Sequence, residues 1–128
     1  MPPLDQQNST VVVVEDDAGM RKALERLLRA GGLQPVLFSS AEALLGTNAA
    51  DSAACLVLDI HLPGLSGFEL HRRLAASGHQ RPVIFITAVD DESARDEARQ
   101  LQCIAYLRKP FEGTALLKAI RQVLEARP

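Results

Sequence analysis

The stretch Val11-Val-Val-Val-Glu-Asp-Asp17 decides the fold, because four β-branched residues run directly into three acids. An unbroken β-branched run is typical of a strand that is buried on both faces of a parallel sheet. The apolar residues that follow recur at the spacing of a helix with one buried face. They are Met20, Ala23, Leu24, Leu27 and Leu28. The stretch therefore predicts a strand, an acidic turn, and a helix that begins at Asp17 or Ala18 and ends at Gly31-Gly32.

The order of strand and then helix recurs along the rest of the chain. Strands are predicted over Leu33–Phe38, Cys55–Leu58, Pro82–Thr87 and Ile104–Leu107, and helices from Ser40, from Ser66, over 91–101 and over 112–126. Five such units with continuously apolar central strands predict an α/β fold with a doubly wound parallel sheet. Right-handed crossovers leave few topologies. The flavodoxin-like (βα)5 order 2-1-3-4-5 suits Pro35, because it places that proline in an edge strand.

Composition restricts the class of protein. The 128 residues are 47% hydrophobic and 23% charged with a net charge of −2, which predicts one globular domain without the basic excess of a nucleic-acid binder. The longest apolar run has six residues, Ala53–Leu58, and the N-terminus is not a signal peptide, so no membrane association is expected. Cys55 and Cys103 are interpreted as core residues of a reduced, cytoplasmic protein. We expect a tail over residues 1–9 and a single domain over 10–126.

Polar residues follow the predicted strands at the end where a sheet of this topology binds ligands. Glu15 and Asp16 follow the first strand, Asp59 the third, Thr87 the fourth and Lys109 the fifth. Since the carboxyl ends of parallel strands share one edge of the sheet, these side chains are expected to converge there.

The expected cluster suggests phosphoryl chemistry. Carboxylates in one pocket repel each other unless a cation neutralises them, and hard oxygen ligands suit Mg²⁺. A carboxylate beside Mg²⁺ can attack phosphorus and form an acyl phosphate. Asp59 is the best candidate nucleophile, because it ends a central strand and precedes a rigid turn. The metal ion, Lys109 and Thr87 would then share the phosphoryl oxygens.

Each of these residues also has an ordinary structural interpretation. Acids before a helix commonly cap it or interact with its dipole, which is sufficient for Asp17, Asp90 and Asp91. A single threonine at a strand end is usually structural, and a single lysine is usually a solvated surface residue. The joint occurrence at one edge favours a functional site.

The sequence resembles the receiver domains of two-component response regulators over residues 10–124. The similarity is carried by Val-Val-Glu15-Asp16-Asp, Leu-Asp59-Ile-His-Leu-Pro63-Gly64-Leu-Ser-Gly67, Ile-Thr87-Ala88 and Tyr106-Leu-Arg-Lys109-Pro110-Phe111. The Leu-Pro-Gly-x-Ser-Gly and Lys-Pro-Phe stretches look most like receivers that precede a LuxR/FixJ-type helix-turn-helix output domain.

The resemblance implies a role for each site residue. Asp59 would be the phosphoacceptor, and Asp16 would bind Mg²⁺ directly while Glu15 assists through water. The backbone carbonyl of His61 would complete the protein's share of the metal ligands. Lys109 would hold a phosphoryl oxygen, with a cis peptide before Pro110.

The resemblance also implies a switch and its partners. Thr87 would move to meet the phosphoryl group and Tyr106 would turn inward, which remodels the face made by the fourth helix, fifth strand and fifth helix. The implied donor is a sensor histidine kinase or phosphotransfer protein, and that face would form a homodimer or control an output domain outside this chain. Such a domain catalyses only its own phosphotransfer and dephosphorylation and is otherwise not an enzyme. The helix over 91–101 should move at little cost, because its apolar face holds only Ala94, Ala98 and Leu101. An ordinary solvated helix has the same pattern, and Tyr106 also fits a half-buried strand aromatic with no switch function.

One position departs from the family pattern. Gln102-Cys103 stands where the family usually has Gly-Ala, just after the fourth helix. A glycine adopts a left-handed cap conformation at no steric cost. We therefore expect the helix to end differently here, or the fifth strand to enter the sheet at an altered angle.

Three alternative functions are less well supported. Aspartyl-phosphate phosphatases need a second acid two residues after the nucleophile, where this chain has His61. Nucleotide- or flavin-binding modules need a glycine-rich phosphate loop, which is absent. A pseudo-receiver, a phosphorylation-independent interaction domain of the same fold, is disfavoured by the presence of all five polar residues at the sheet edge.

Overall fold

The computed structural model describes residues 8–126, so most of the tail predicted over residues 1–9 lies outside the described residues. The strands are β1 Thr10–Val14, β2 Gln34–Phe38, β3 Cys55–Asp59, β4 Val83–Thr87 and β5 Ala105–Arg108. The helices are α1 Ala18–Ala30, α2 Ala41–Leu45, α3 Gly67–Ala76, α4 Glu92–Gln100 and α5 Gly113–Glu125, with a 3₁₀ turn over Ala49–Ser52. No helix among these residues is both long and apolar enough to cross a membrane. The predicted elements are confirmed, with small shifts of their ends.

All strand pairs are parallel, and the strand order β2-β1-β3-β4-β5 confirms the predicted topology. Strand β2 lies at an edge, so Pro35 pairs with Val11 on one side only. The missing N–H of the proline therefore removes no ladder bond from the centre of the sheet.

The core lies in two layers, one on each face of the sheet, as the continuously apolar strands predict. Val12 and Val14 face the layer that packs against α2, α3 and α4. Val11 and Val13 face the layer that packs against α1 and α5. Successive residues of a strand point to opposite faces, so burial of both layers requires the unbroken apolar run.

Side chains cap the first turn of four of the five helices that the structure describes. Asp17, Ser40, Ser66 and Asp91 each accept a hydrogen bond from a backbone N–H in the first turn of the following helix. Asp90 does not cap the first turn of α4, and an interaction of its charge with the helix dipole stays a prediction. Its carboxylate instead accepts two hydrogen bonds from the Arg95 guanidinium, both at 2.6 Å. This pair connects the β4–α4 loop to the second turn of α4.

The end of α4 corrects the expectation for Gln102. Gln102 itself adopts the left-handed conformation, with φ of 58°. Its N–H donates to Arg99 O at 3.1 Å and the Cys103 N–H donates to Ala98 O at 3.4 Å, which is the hydrogen-bond pattern of a glycine-ended helix. Strand β5 then pairs with β4 in regular register. The altered helix end is not observed, because the surrounding bonds hold a residue other than glycine in this conformation.

The left-handed Gln102 predicts that Gln102→Gly stabilises the protein by about 1 kcal/mol, since glycine has no Cβ to clash there. Urea unfolding measures the change. The reciprocal control is Gly78→Gln, because Gly78 has φ of +90° and a Cβ added to it would meet no atom within 4 Å. That substitution should destabilise by a similar amount, and no gain in Gln102→Gly would show that the conformation carries no cost.

Gly67 is required at the junction between Asp59 and α3. A Cβ at this position would lie 2.3 Å from Asp59 O, and the Gly67 N–H donates to Ile60 O at 2.9 Å. The first turn of α3 therefore lies directly against the backbone of the candidate nucleophile.

Gly67→Ala is expected to lower the free energy of unfolding by about 2 kcal/mol, because backbone must shift to relieve the clash. The matched control is Gly19→Ala in the first turn of α1, where a Cβ meets only Asp17 Oδ2 at 3.4 Å. It should leave stability equal or higher. Equal unfolding midpoints for both variants in urea would contradict the close contact.

Candidate functional site

Three carboxylates converge at the carboxyl edge of β1 and β3. One oxygen from each of Glu15, Asp16 and Asp59 lies within 4.8 Å of the others. Glu15 is fully buried, Asp59 is 4% exposed and Asp16 is exposed. Strands β1 and β3 are neighbours, so the acids that follow them must meet, as the sequence predicts.

Lys109 supplies the positive charge in this pocket. Its Nζ lies 2.5 Å from Glu15 Oε1 and 2.9 Å from Asp59 Oδ2. The Lys109 N–H donates to Thr87 O at 2.7 Å, and the peptide before Pro110 is cis, as predicted. Burial alone would lower the pKa of Lys109, but the hydrogen bonds to the two carboxylates raise it above its usual value. The lysine is therefore firmly protonated.

Glu15 is the most constrained of the three acids. Its Oε2 accepts the Asp17 N–H at 3.1 Å, while Oε1 holds Lys109. Burial raises the pKa of Glu15 above its usual value, and these two hydrogen bonds only partly offset that effect. A nearby cation therefore favours the ionised form of this buried carboxylate.

The two oxygens of Asp59 have different partners. Oδ1 accepts the His61 N–H at 3.0 Å and Oδ2 accepts from Lys109. The backbone of the β3–α3 loop thus orients the carboxylate while the lysine compensates its charge. His61 lies beside the acids as predicted, and the role of its carbonyl as a metal ligand stays a prediction.

The pocket has the chemistry of a magnesium site. Three carboxylates and one ammonium leave an excess of negative charge. The donors are hard oxygens, and Asp16 is exposed, which leaves room for water ligands of the kind Mg²⁺ retains. Glu15, Asp16 and Asp59 are the residues that could hold such an ion.

Thr87 does not direct its hydroxyl at the acids in this structure. The side chain is fully buried, and Oγ1 donates to Val89 O at 2.8 Å and accepts the Val89 N–H at 3.0 Å. The hydroxyl is therefore bound to the β4–α4 loop. Taking part in the pocket requires that these two hydrogen bonds break.

Tyr106 lies on the face made by α4 and β5. The ring is half-buried against the α3–α4 side of the core, and its hydroxyl is the one buried side-chain oxygen or nitrogen without a hydrogen-bond partner in the described part of the chain. Burial and the nearby Asp90 charge raise the pKa of Tyr106. The ring borders a groove of about 240 Å³ that Ala98 and Cys103 also line.

Two residues that support the pocket were not predicted. The Arg21 guanidinium donates through Nη1 to the carbonyls of both Glu15 and Asp16, each at 2.9 Å. Glu42 Oε2 accepts the Leu65 N–H at 2.9 Å and so holds the β3–α3 loop. Arg21 is five residues from Asp16, a local spacing that could have suggested the contact. The contact of Glu42 spans 23 residues and has no such signal.

Comparison with known proteins identifies relatives over nearly the whole chain. The family model described as "Response regulator receiver domain" matches residues 11–121. The response regulator protein TmoT of Ectopseudomonas mendocina is 37% identical over 98% of this chain and 57% of its own length. The transcriptional regulatory protein FixJ of Bradyrhizobium diazoefficiens is 38% identical over 88% of this chain and 57% of its own. The crystal structure of FixJ-N superposes with a TM-score of 0.83 at 34% identity, covering 95% of this chain and 98% of that one. The chain thus spans about half the length of these curated relatives.

Removal of the lysine tests the electrostatics of the pocket. Lys109→Met should destabilise the metal-free protein by about 3 kcal/mol near pH 8, because Glu15 loses the one cation that pairs with it among the described residues. A carboxyl with a raised folded-state pKa costs stability as pH rises through that pKa, so the loss should be smaller near pH 5. Urea unfolding in EDTA at both pH values measures this.

Lys118→Met is the matched control, because Lys118 is an exposed lysine of α5. It should change stability little and equally at both pH values. A loss in Lys109→Met that does not depend on pH would contradict the account of the Glu15 charge.

Proposed function

The chain belongs to the response regulator receiver domain family, and we propose that it is a switch in which Asp59 accepts a phosphoryl group in a Mg²⁺-dependent step. The observation that carries the proposal is the convergence of Glu15, Asp16 and Asp59, two of which pair with Lys109. Receiver domains of response regulators are signalling switches, and this pocket has the residues that phosphoryl transfer needs.

The proposed donor is a phosphohistidine of a sensor kinase or phosphotransfer protein. An Asp59 oxygen attacks phosphorus, the P–N bond breaks, and its electron pair leaves with the imidazole. The product is an acyl phosphate on Asp59. Asp16 and Asp59 would hold Mg²⁺ directly, with the His61 carbonyl as a further ligand and Glu15 assisting through water. When bound, the ion would compensate the charge of the phosphoryl oxygens.

Lys109 would change partners during this step. It now spans Glu15 and Asp59, so its ammonium already lies beside the oxygen that would carry phosphorus. Glu15, Asp16 and Asp59 would hold a metal ion that compensates their charge, and Lys109 would hold a phosphoryl oxygen. Because the lysine is positioned beforehand, little reorganisation accompanies transfer.

The proposed output is a population shift on the α4–β5–α5 face. Thr87 would release Val89 to reach the phosphoryl group, and Tyr106 would turn inward beside it. Helix α4 buries only Ala94 and Ala98, so its displacement costs little apolar contact. The phosphoryl group then favours one of two pre-existing conformations. That face would form a homodimer or contact an output domain, as in a regulator of transcription.

The pseudo-receiver alternative is not supported. A domain that acts only by binding a partner does not need three acids and a lysine at one edge of the sheet. All four are present here: one oxygen of each acid lies within 4.8 Å of the others, and Lys109 pairs with Glu15 and Asp59.

Mass spectrometry after incubation with acetyl phosphate and Mg²⁺ tests the proposal. Wild type should gain a base-labile phosphoryl mass that EDTA prevents, and Asp59→Asn should gain none. Asp96→Asn is the control, because Asp96 is an exposed acid of α4 and its loss should leave labelling intact. Labelling that persists in Asp59→Asn would place the acceptor elsewhere, and a folded wild type that neither binds Mg²⁺ nor gains the mass would overturn the proposal.

A further inference from the structure

We infer that Arg21 is a positioning residue for the metal-binding acids, acting on the backbone behind them. The inference rests on the proposed function, because it concerns how the same pocket is prepared for Mg²⁺. Arg21 lies in α1 and touches neither Asp59 nor Lys109 through any hydrogen bond of the described residues.

The guanidinium acts on two successive peptide groups. Its Nη1 donates to Glu15 O and Asp16 O, each at 2.9 Å. Hydrogen bonds from one nitrogen to two consecutive carbonyls fix the orientation of both peptide planes. The directions in which the Glu15 and Asp16 side chains leave the backbone are fixed with them.

The backbone of Arg21 is held in the first turn of α1. Its N–H donates to Asp17 O at 2.9 Å, and Asp17 Oδ2 accepts the Met20 N–H at 2.7 Å as the cap of α1. The arginine therefore starts from a fixed first helical turn and reaches back over the loop. Rigid support at the helix makes the contact with the two carbonyls specific.

Asp16 depends on this contact more than Glu15 does. The Glu15 carboxylate has its own partners in Lys109 and the Asp17 N–H. The Asp16 carboxylate forms no hydrogen bond or ion pair with any described residue, and it is exposed. Its direction is therefore set by the backbone alone. Arg21 holds that backbone, so its loss should act chiefly on the residue proposed to bind Mg²⁺ directly.

An arginine serves this purpose better than a lysine. The guanidinium is planar and presents its N–H groups in a fixed geometry, so little rotamer entropy is lost per hydrogen bond. A lysine would retain the positive charge near the acids without the fixed pair of donors. Arg21→Lys therefore keeps the positive charge and removes the fixed pair of donors. Arg21→Met removes both the charge and the donors and keeps only an apolar side chain of similar length.

The first measurement is the Mg²⁺ dissociation constant by calorimetry. Arg21→Met and Arg21→Lys should each bind Mg²⁺ about tenfold more weakly, the usual effect of losing a residue that orients a metal ligand. The control is Lys22→Ala, which removes an exposed positive charge at the next position and should bind as wild type does. Full rescue by Arg21→Lys would assign the effect to charge, and wild-type affinity in Arg21→Met would assign Arg21 to stability alone; either result overturns the inference.

A second measurement in metal-free protein keeps this test separate from the proposed function. Amide hydrogen exchange at Asp17, whose N–H donates to Glu15 Oε2, should accelerate in both Arg21 variants and not in Lys22→Ala. Urea unfolding checks that global stability is not the cause. If wild type fails to bind Mg²⁺, the proposed function is contradicted, and the exchange rates still decide the inference. Unchanged exchange at Asp17 overturns it.

Discussion

The ion pairs of Lys109 with Glu15 and Asp59 are the interaction on which the site depends. Glu15 is fully buried at the end of a central strand, where an unpaired carboxylate is costly. Topology forces this position, because parallel strands β1 and β3 end at one edge and bring their acids together. The loop after β5 brings the balancing charge to that edge. The fold thus concentrates negative charge at this edge, and among the described residues Lys109 supplies the ammonium that pairs with it.

The acids are oriented mainly by backbone and by residues outside the pocket. Arg21 holds the carbonyls of the first acidic loop, and Glu42 holds an amide of the β3–α3 loop. Gly67 lets α3 approach the carbonyl of Asp59 at a distance that no side chain permits. Each contact leaves the carboxylate oxygens themselves available. Such support from outside the pocket holds the acids in place for the metal ion of the proposed function.

The sequence predicts the features that local chemistry or topology imposes. Pro35 indicates an edge strand, Asp17 caps its helix, and acids after parallel strands must converge. It does not predict which way the Thr87 hydroxyl turns, because both orientations suit the same sequence. It was wrong about Gln102, because the hydrogen bonds that close α4 outweigh the steric cost of a left-handed residue. Long-range contacts such as that of Glu42 leave no periodic signal in the chain.

The β1–β3 side of the site is packed into the core more firmly than the α4 side, and this difference suits a switch. Strands β1 and β3 lie at the centre of the core, whereas α4 buries only Ala94 and Ala98. A buried methyl group contributes about 0.8 kcal/mol, so displacing both costs on the order of the two hydrogen bonds that Thr87 makes with Val89. Nearly complete inversion of a two-state equilibrium needs about 5.5 kcal/mol of differential binding. On the proposed function, the charge-assisted bond from Thr87 to a phosphoryl group forms in one conformation only and so contributes to this differential, whereas Lys109 would hold the phosphoryl group in both conformations, so the pocket can stay rigid while the α4 face moves.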